Sequence, residues 1–584
     1  MRTELRILLA ISLVLLVMVG SNLLFPPPPP PEGPDTPMEV LDETGVEGQR
    51  GDTDTSEEIS IPEAFIERDP VEFEQIIPTA REEAPGREVV VEGPLYRLRF
   101  SNEGALLEGV ELTGYPDLSQ GGFVQLIPEW SAGWLGRMLT AGSDTLDLSG
   151  ETFHVEPAGG LDLVTDPDNN RLRFAYVHES GFQFIVEYTF DPDSYEMEVD
   201  GTAGLPDRPL DRGVVVTGIG SGLAVVEADS AGDERMSAFV SRDGAGAIRS
   251  TPISGADAEV VNGPLDWVGV RNRFFALGIF GETGETGAVD HLGQLSVEAR
   301  VGGGVTLNVS QELGPGGHFG HSLYLGPQDQ DMLEEVGRSF NQVNPVGWSF
   351  LRPIIRPFAS IVLKVLVFLH DTAGLSYGLA LVVFGIAMRI VLWPLNHKAM
   401  QSQLRNMAVQ PLVQEIQAKY KNDKKKQQEE MMKLYKEHGF NPLGGCVPML
   451  LPWPVLIALF FVFQNTIELR GVPFLWLPDL AGPDPYYVLP LLLGVSMWVL
   501  QWVSLRSIDN PNPTMKMMMW MMPIMMMVMF IWFGWASGLS LYYLTANLAT
   551  LPQQIYVANQ RKNMRGKPPP VRRKGRFSAL RAGS

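Results

Sequence analysis

Long apolar stretches in the second half of the sequence limit its fold more than any other feature. Five of them, at about 375–395, 445–467, 486–505, 517–533 and 537–557, approach the roughly 20 residues that a helix needs to cross the hydrocarbon core of a bilayer. So many long apolar helices cannot share one water-soluble fold, because their surfaces would remain exposed to water. The sequence therefore predicts a polytopic α-helical membrane protein.

The N-terminus predicts one more span, the first in the chain, so that the five stretches above are the second to sixth spans. Residues 1–25 place Arg2 and Arg6 ahead of a mostly apolar run, which is typical of a signal sequence. Prolines 26–31 follow in place of a small-residue cleavage site, and this favours an uncleaved signal anchor over a cleaved signal peptide. The basic residues orient the anchor with its N-terminus in the cytoplasm and the next domain outside.

Two segments separate this anchor from the other spans. Residues 26–86 are rich in Pro and acidic residues and contain few large apolar ones, which predicts a disordered linker. In residues 87–345, short alternating runs such as "FQFIVEYTF" recur between Gly, Pro, Asp and Asn. This pattern predicts an all-β sandwich-type periplasmic domain, and we interpret it as a scaffold or docking domain without catalysis.

Charge divides the chain in the same way. Residues 26–350 contain 18 Arg, no Lys and 57 acidic residues, whereas the remainder contains 27 basic and 11 acidic residues. The net charge of -23 therefore hides an acidic half and a basic half, and the asymmetry is more informative than the average. Cys446 is the single cysteine, which excludes an intrachain disulfide and a cysteine-based metal site.

The segments flanking the spans predict the topology of the core. Residues 350–373 form a short, basic-flanked apolar stretch, which favours an interfacial amphipathic helix over a span. The five-span core, residues 374–557, then has its lysine-rich loop 397–440 and the acid-free tail 558–584 on the cytoplasmic side, as the positive-inside rule requires. The loop 470–487, with one basic and two acidic residues, lies outside. Six spans with both termini in the cytoplasm satisfy these constraints.

Catalytic signatures are missing from the sequence. It contains no G-x-x-x-x-G-K-[ST], H-E-x-x-H or G-x-S-x-G pattern, and its histidines are scattered singly. We therefore expect neither enzyme activity nor a cofactor or metal site.

Arg389 is a permanent charge inside the apolar run "LALVVFGIAMRIVLWPLN". A charge in a span costs roughly 2.5–3.5 kcal/mol on insertion scales, so a functional role is the first hypothesis. Snorkelling to the headgroup layer is the alternative, because Arg389 lies about six residues from the expected inner end of its helix. The sixth span is also unusually polar, and a wet cavity open to the cytoplasm would accommodate both features. Its polar residues are Tyr542, Tyr543, Thr545, Asn547, Thr550 and Gln553.

Three further segments carry candidate contact residues. The methionine-rich fifth span, "MKMMMWMMPIMMMVMFIWF", favours a surface for variable hydrophobic sequences over plain lipid contact. The loop 397–440 predicts an antiparallel helical hairpin, either a self-packed lid or a partner platform, marked by Pro411, Ile416, Tyr420 and Met431. The basic tail suits ribosomal RNA or anionic lipid equally well, through Arg561, Lys562, Arg572, Arg573, Lys574 and Arg576.

Several motifs resemble those of the YidC/Oxa/Alb family of membrane protein insertases, in its Gram-negative form with a periplasmic domain. They are "MRIVLWPL", "VQPLVQEIQAKY", "FNPLGGCVPMLLPWPVLIALFFVF", "IELR", "DPYYVLPLLLGVSM" and "SGLSLYYLTANL", and they cover most of residues 345–560. The resemblance implies a lateral hydrophilic groove that contains Arg389, Tyr542 and Tyr543, and we add Thr545 and Asn547. Pro452 stands where family members often have a polar Gln, which puts any contact assigned to that Gln in doubt.

The expected function is insertion and folding of newly made integral membrane proteins in the bacterial inner membrane. Expected partners are nascent membrane proteins, the Sec translocon, the ribosome and the bilayer. The substrate's apolar segment would slide along the third and fifth spans, at Trp453, Leu456, Phe460, Met521, Met525 and Met526. Two alternatives are a secondary transporter with an anion site at Arg389 and an assembly chaperone without insertase activity; paired repeats, typical of transporters, are not seen in the five core spans.

Overall fold

The computed structural model describes residues 86–437 and 453–563. Its internal gaps are at 143, 206–207, 211, 255, 282–290, 300–304, 345–351, 395–411, 413–414, 417–418, 421–422 and 507–512. The predicted anchor, most of the linker and most of the basic tail lie outside the described residues. The chain forms two compact units, and the β domain and the helical core belong to the unit that contains residues 83–415 and 431–584.

Alternating apolar residues near the start of the described chain build a five-stranded sheet. Val89 and Val91 are buried while the residues between and beside them are not, because successive side chains of a strand point to opposite faces. The strands follow the order β4-β3-β2-β1-β8. They are β1 Glu88–Glu92, β2 Tyr96–Ser101, β3 Leu107–Pro116, β4 Phe123–Gln125 and β8 Leu161–Asp162.

A second, 15-stranded sheet accounts for the rest of the β domain. Its main path runs β6-β5-β13-β19-β18-β16-β17-β20-β11-β10-β9-β7, with β12, β14 and β15 paired beside it. Its strands are β5 Arg137–Ala141, β6 Asp144–Asp147, β7 His154–Glu156, β9 Arg171–Val177, β10 Gln183–Phe190, β11 Glu196–Leu205, β12 Arg208–Pro209, β13 Val214–Gly218, β14 Ala238–Asp243, β15 Ile248–Pro252, β16 Glu259–Arg271, β17 Phe275–Gly281, β18 Leu292–Ala299, β19 Val305–Glu312 and β20 His318–Pro327.

Aromatic side chains pack between the two sheets. The Phe100 ring on β2 has its centroid 5.7 Å from that of Phe174 on β9 and 5.0 Å from that of Tyr188 on β10. Such tilted ring pairs add about 0.5–1.5 kcal/mol beyond the burial of their area. Two sheets that share an apolar core between their faces form a sandwich. The expected β-sandwich domain is therefore confirmed.

Helices follow the β domain and form the second part of this unit, except that the helix Lys424–Glu437 begins in the other unit, which contains residues 416–430. Two short helices, α1 Ser230–Met236 and α2 Gln330–Glu335, still belong to the β domain. The remaining helices are α3 Arg352–Asp371, α4 Tyr377–Val391, α5 Lys424–Glu437, α6 Trp453–Asn465, α7 Val488–Leu505, α8 Pro513–Phe533 and α9 Ser537–Asn563. The helical nature of the core is thereby confirmed.

Packing among these helices places α9 between two others. It lies against α4 and α7, while α7 also contacts α8 and α3 contacts α6. Of the helices in the described residues, α7 is the one long and apolar enough to cross a membrane by length and composition, and Tyr377–Val391 and Met519–Phe533 are shorter apolar helices.

Two helix ends differ from the expected bounds. Helix α4 ends at Val391 rather than near 395, so Arg389 lies in its last turn. A turn at Leu392 ends the helix, and Trp393 and Pro394 directly after it are helical again, which fits the tolerance of proline in the first turn of a helix. Helix α9 continues to Asn563, beyond the expected residue 557.

Helix α3 lies within the segment 350–373, whose interfacial position stays a prediction, and it is apolar on two sides. One side is buried and contains Ile355, Ala359, Val362 and Leu366. A second set remains exposed and consists of Phe358, Ile361, Val365 and Phe368. The spacing of three or four residues within each set follows the 3.6-residue turn of a helix. One set therefore faces the protein, and the other presents an apolar strip outward.

Candidate functional site

Arg389 is half-buried on α4. Within the described residues its guanidinium has no hydrogen bond and no ion pair, whereas a guanidinium offers five N–H donors. Tyr542 and Tyr543 on α9 are close enough to act on its charge electrostatically. A cation with open donors beside two hydroxyl groups can receive a carboxylate or other anionic group.

Gly385, one turn before Arg389, brings α4 close to α9. A Cβ at this position would lie 3.3 Å from Thr545 Cγ2 and 3.6 Å from Tyr542 Cδ2. Small residues permit such close helix–helix approach in membrane proteins. Arg389, Tyr542, Tyr543 and Thr545 are thus brought together along one helix pair.

Ring packing fixes both tyrosines. Tyr542 is buried, with its ring centroid 5.8 Å from Phe384 and 6.2 Å from Phe463. The Tyr543 ring lies 5.8 Å from Tyr542 and 6.0 Å from Phe530. The two rings are therefore part of the apolar packing, and Tyr543, which is only half-buried, is the more accessible of the two.

Other polar residues of α9 have local partners. The Asn547 amide donates to Ser496 Oγ on α7 at 3.0 Å, so its partner is on a different helix from Arg389. Thr550 Oγ1 donates to the Ala546 carbonyl at 2.6 Å, the self-satisfying bond common for threonine in helices. The Gln553 Nε2 is buried and has no hydrogen-bond partner among the described residues.

Of the six residues expected to form a hydrophobic slide, four have described side chains, and they lie on α6 and α8. The Phe460 ring lies 5.2 Å from both Phe461 and Trp535, and Met521, Met525 and Met526 are half-buried. The side chains of Trp453 and Leu456, at the start of α6, lie outside the described residues, as does Pro452.

The hairpin and tail residues are only partly described. Pro411 lies outside, Ile416 and Met431 are half-buried, and the Tyr420 ring has the ammonium groups of Lys419 and Lys426 at 5.6 and 6.0 Å. In the tail, Arg561 and Lys562 lie in the last turn of α9. The remaining tail residues, Arg572, Arg573, Lys574 and Arg576, lie outside the described residues.

A buried ionic cluster, which the sequence did not predict, joins the β domain to the segment between α6 and α7. Arg470 Nε donates to Glu227 Oε1 at 2.6 Å, and its Nη1 donates to the Pro116 carbonyl at 2.8 Å. Arg273, after β16, donates from Nε to the Gln464 carbonyl and from Nη2 to the Ala481 carbonyl, each at 2.6 Å. Two arginines thus cross the junction in opposite directions.

Burial controls the ionisation of this junction. It raises the pKa of Glu227 to about 7, and the guanidinium of Arg470 opposes that shift. Burial likewise raises the pKa of Asp233 to about 6, although its carboxylate accepts the Arg273 N–H at 3.0 Å. Because 243 positions separate Glu227 from Arg470 in the chain, no local pattern could have indicated the pair.

An acidic β-sandwich joined to apolar helices, one of which carries a cation without a hydrogen bond or ion pair among the described residues, defines a membrane protein with a large extramembrane domain. Two family models match it: residues 368–565 match the 60Kd inner membrane protein, and residues 88–204 match the YidC periplasmic domain. The chain belongs to the YidC/Oxa/Alb family of membrane protein insertases, as its motifs indicated.

Individual relatives agree with this assignment. Proteins named membrane protein insertase YidC match from Geobacter sp. strain M21, at 29% identity over 81% of this chain and 86% of theirs, and from Geobacter metallireducens, at 27% over 95% and 98%. A crystal structure described as an active YidC insertase with the first transmembrane domain resolved covers 82% of this chain and 93% of its own, at 17% identity and a TM-score of 0.33.

Proposed function

We propose that this chain inserts newly made integral membrane proteins into the bacterial inner membrane and assists their folding. The names of its relatives support an insertase over a transporter. The observation that carries the proposal is the Arg389 guanidinium, half-buried and without a hydrogen bond or ion pair in the described residues, beside Tyr542 and Tyr543. The substrates would be nascent membrane proteins, and the surrounding partner is the phospholipid bilayer.

The proposed mechanism uses no nucleotide. An acidic, hydrophilic tail of the substrate is drawn toward Arg389, which supplies charge-assisted hydrogen bonds while the tail lies in the groove. The substrate's apolar segment leaves past α6 and α8, and its burial in lipid provides about 25 cal/mol per Å² of apolar area. The groove lowers the barrier because it offers polar partners part of the way across the membrane.

The finer features of the proposal concern topology and partners. Six spans with both termini in the cytoplasm agree with the basic loop 397–440 and tail. The Sec translocon is a proposed partner. The tail, including Arg561 and Lys562, would contact either ribosomal RNA or anionic lipid.

Replacement of Arg389 tests the proposed role of its charge. In cells depleted of the resident protein, we expect Arg389→Ala to lose insertion of a single-span client with a short acidic tail, and Arg389→Lys to retain it. The measurement is protease accessibility of the translocated tail. Both outcomes follow from a need for positive charge in a wet site.

Arg506 provides the matched control. It follows α7 directly and lies 4.1 Å over the Trp502 ring, so Arg506→Ala removes a helix-end guanidinium outside the groove. We expect normal insertion from this variant. If Arg389→Ala also inserts the tail at the normal rate, Arg389 only snorkels and the proposed route is wrong.

A further inference from the structure

The segment 470–487, which lies between α6 and α7, contains a tight turn with an apolar tip. Phe474 and Leu477 exchange backbone hydrogen bonds of 3.0 and 2.9 Å, which leaves Leu475 and Trp476 as the two residues of the turn. We call these two residues the loop tip. Leu475 is 76% exposed, and nearby Tyr486 is 69% exposed.

Backbone strain accompanies this exposure. Leu475 has a φ of +56° and Tyr487 a φ of +57°, a left-handed conformation that costs a residue with a side chain roughly 1–2 kcal/mol. Glycine or asparagine would occupy such positions more easily. A large apolar side chain held in a strained turn and directed into solvent needs a compensating contact, since strain of this kind concentrates at functional positions.

Two aspartates make the segment rigid. Asp479 Oδ1 accepts the Gly471 and Ala481 N–H groups, both at 2.9 Å. Asp484 accepts the Leu489 N–H at 2.6 Å and the Trp476 Nε1–H at 3.3 Å. The base of the segment is also held by the junction cluster, through Arg470 and the Ala481 carbonyl. The tip is therefore presented in one fixed position.

Neighbouring helices define the depth of the tip. Phe474, directly before it, packs so closely on Gly378 in the first turn of α4 that a Cβ at that position would collide with the ring. Helix α7 begins at Val488, one residue after Tyr487. The tip is thus level with the ends of two apolar helices, where Trp and Tyr side chains settle at a membrane–water interface.

We propose that the loop tip is a rigid lipid anchor that inserts Leu475 and Trp476 into the outer leaflet of the bilayer. The exposed strip of α3, with Ile361 and Phe368, adds apolar surface that the same leaflet would cover. The side of the membrane rests on the topology proposed above, whereas insertion into lipid rests on the geometry of the tip alone.

Spin labels at single cysteines test this proposal in the full chain. In a Cys446→Ala background, a nitroxide is attached at Leu475→Cys or Tyr486→Cys, and the protein is reconstituted into vesicles of phosphatidylethanolamine and phosphatidylglycerol. Collision rates with oxygen, which concentrates in the bilayer, and with a water-soluble nickel chelate report depth. Because a cysteine at position 475 has a left-handed backbone, position 486, whose backbone is not left-handed, provides a second, unstrained labelling site.

Two control positions give the scale. Val164, 59% exposed in the β domain, represents water, and Val495, 58% exposed on α7, represents lipid. We expect a several-fold loss of nickel collisions at 475 and 486 relative to 164, with oxygen values approaching those at 495. Nickel access equal to that at 164, or shielding from both reagents, overturns lipid insertion. Addition of the chelate to one side of oriented vesicles assigns the leaflet, and access from the cytoplasmic side overturns the outer-leaflet assignment.

Discussion

Arg470 is a guanidinium that is only 8% exposed, and it owes that position to one carboxylate and two carbonyl oxygens of the β domain. Its sequence neighbours reveal nothing of this, because the partners come from elements that are more than 200 positions away. Arg389 differs, since its apolar neighbours alone made it conspicuous. Sequence reasoning thus finds a charge that violates its local surroundings, and it misses a charge whose environment is assembled by tertiary contacts.

Loss of one member of the Glu227–Arg470 pair should be costly. At pH 8, where Glu227 is ionised, we expect Arg470→Ala to lower the free energy of unfolding by about 3–5 kcal/mol, because a buried carboxylate is left without its cation. Chemical denaturation in detergent measures the change. Arg171→Ala is the control, since Arg171 pairs with Glu187 at an exposed site and should cost at most about 1 kcal/mol. Equal effects of the two variants would contradict a buried pair.

Helices α4 and α9 approach each other closely at Gly385 on α4, where a Cβ would meet Thr545, and at Gly538 on α9, where a Cβ would meet Leu381. The sequence predicted both elements, together with the polar character of α9, from apolar runs and hydrogen-bonding side chains. It did not predict which face of α9 meets α4, because Tyr542 and Tyr543 are adjacent on the helix and only packing separates their roles. It also placed the end of α4 about four residues late, since no residue in the apolar run marks the turn at Leu392.

Enlargement of Gly385 should separate these two helices. We expect Gly385→Leu to lower stability by about 1–3 kcal/mol, the usual cost of overpacking, and to reduce client insertion, because Thr545 is displaced. Thermal unfolding in detergent and the tail-protection assay measure the two effects.

Gly494 on α7 is the matched control for that change. A Cβ there would lie 3.4 Å from Met527 Cβ, 3.6 Å from its flexible Sδ and 3.7 Å from the Pro523 carbonyl oxygen. Methionine can adjust its conformation, so Gly494→Leu should be milder. A larger loss of insertion in Gly494→Leu than in Gly385→Leu would argue against the importance of the α4–α9 contact.

The whole molecule combines an acidic β-sandwich with a basic helical core. Composition and periodicity predicted that order along the chain, and the sandwich and helical character were confirmed. The attachment of one part to the other was not predictable, because it depends on Arg273, Glu227 and Asp233 meeting the segment after α6. None of these residues stands out in its own sequence context.

We expect the attachment of the β domain to the helical core to weaken as the pH rises, because Glu227 lies in the buried cluster that joins them. Glu227 titrates near 4.5 when unfolded and near 7 when buried, so the folded form binds the proton more tightly. Its stabilising contribution is complete below pH 4.5 and is lost as the pH rises through about 7. We expect the unfolding midpoint to fall between pH 5 and 8, and to fall less in Glu227→Gln. Identical pH profiles of the two proteins would show that Glu227 does not titrate in this range.

Both hydrogen bonds that Arg273 donates to the helical core, within the described residues, go to main-chain oxygens, those of residues 464 and 481. Any amino acid carries such an oxygen, so substitutions at those two positions leave both bonds in place as long as the backbone path is kept. These two hydrogen bonds therefore depend on the residue type at position 273 and not on the residue types at 464 and 481. A search for correlated substitutions would not detect these two hydrogen bonds. Among the residues that form them, only the arginine at position 273 is required by its side chain.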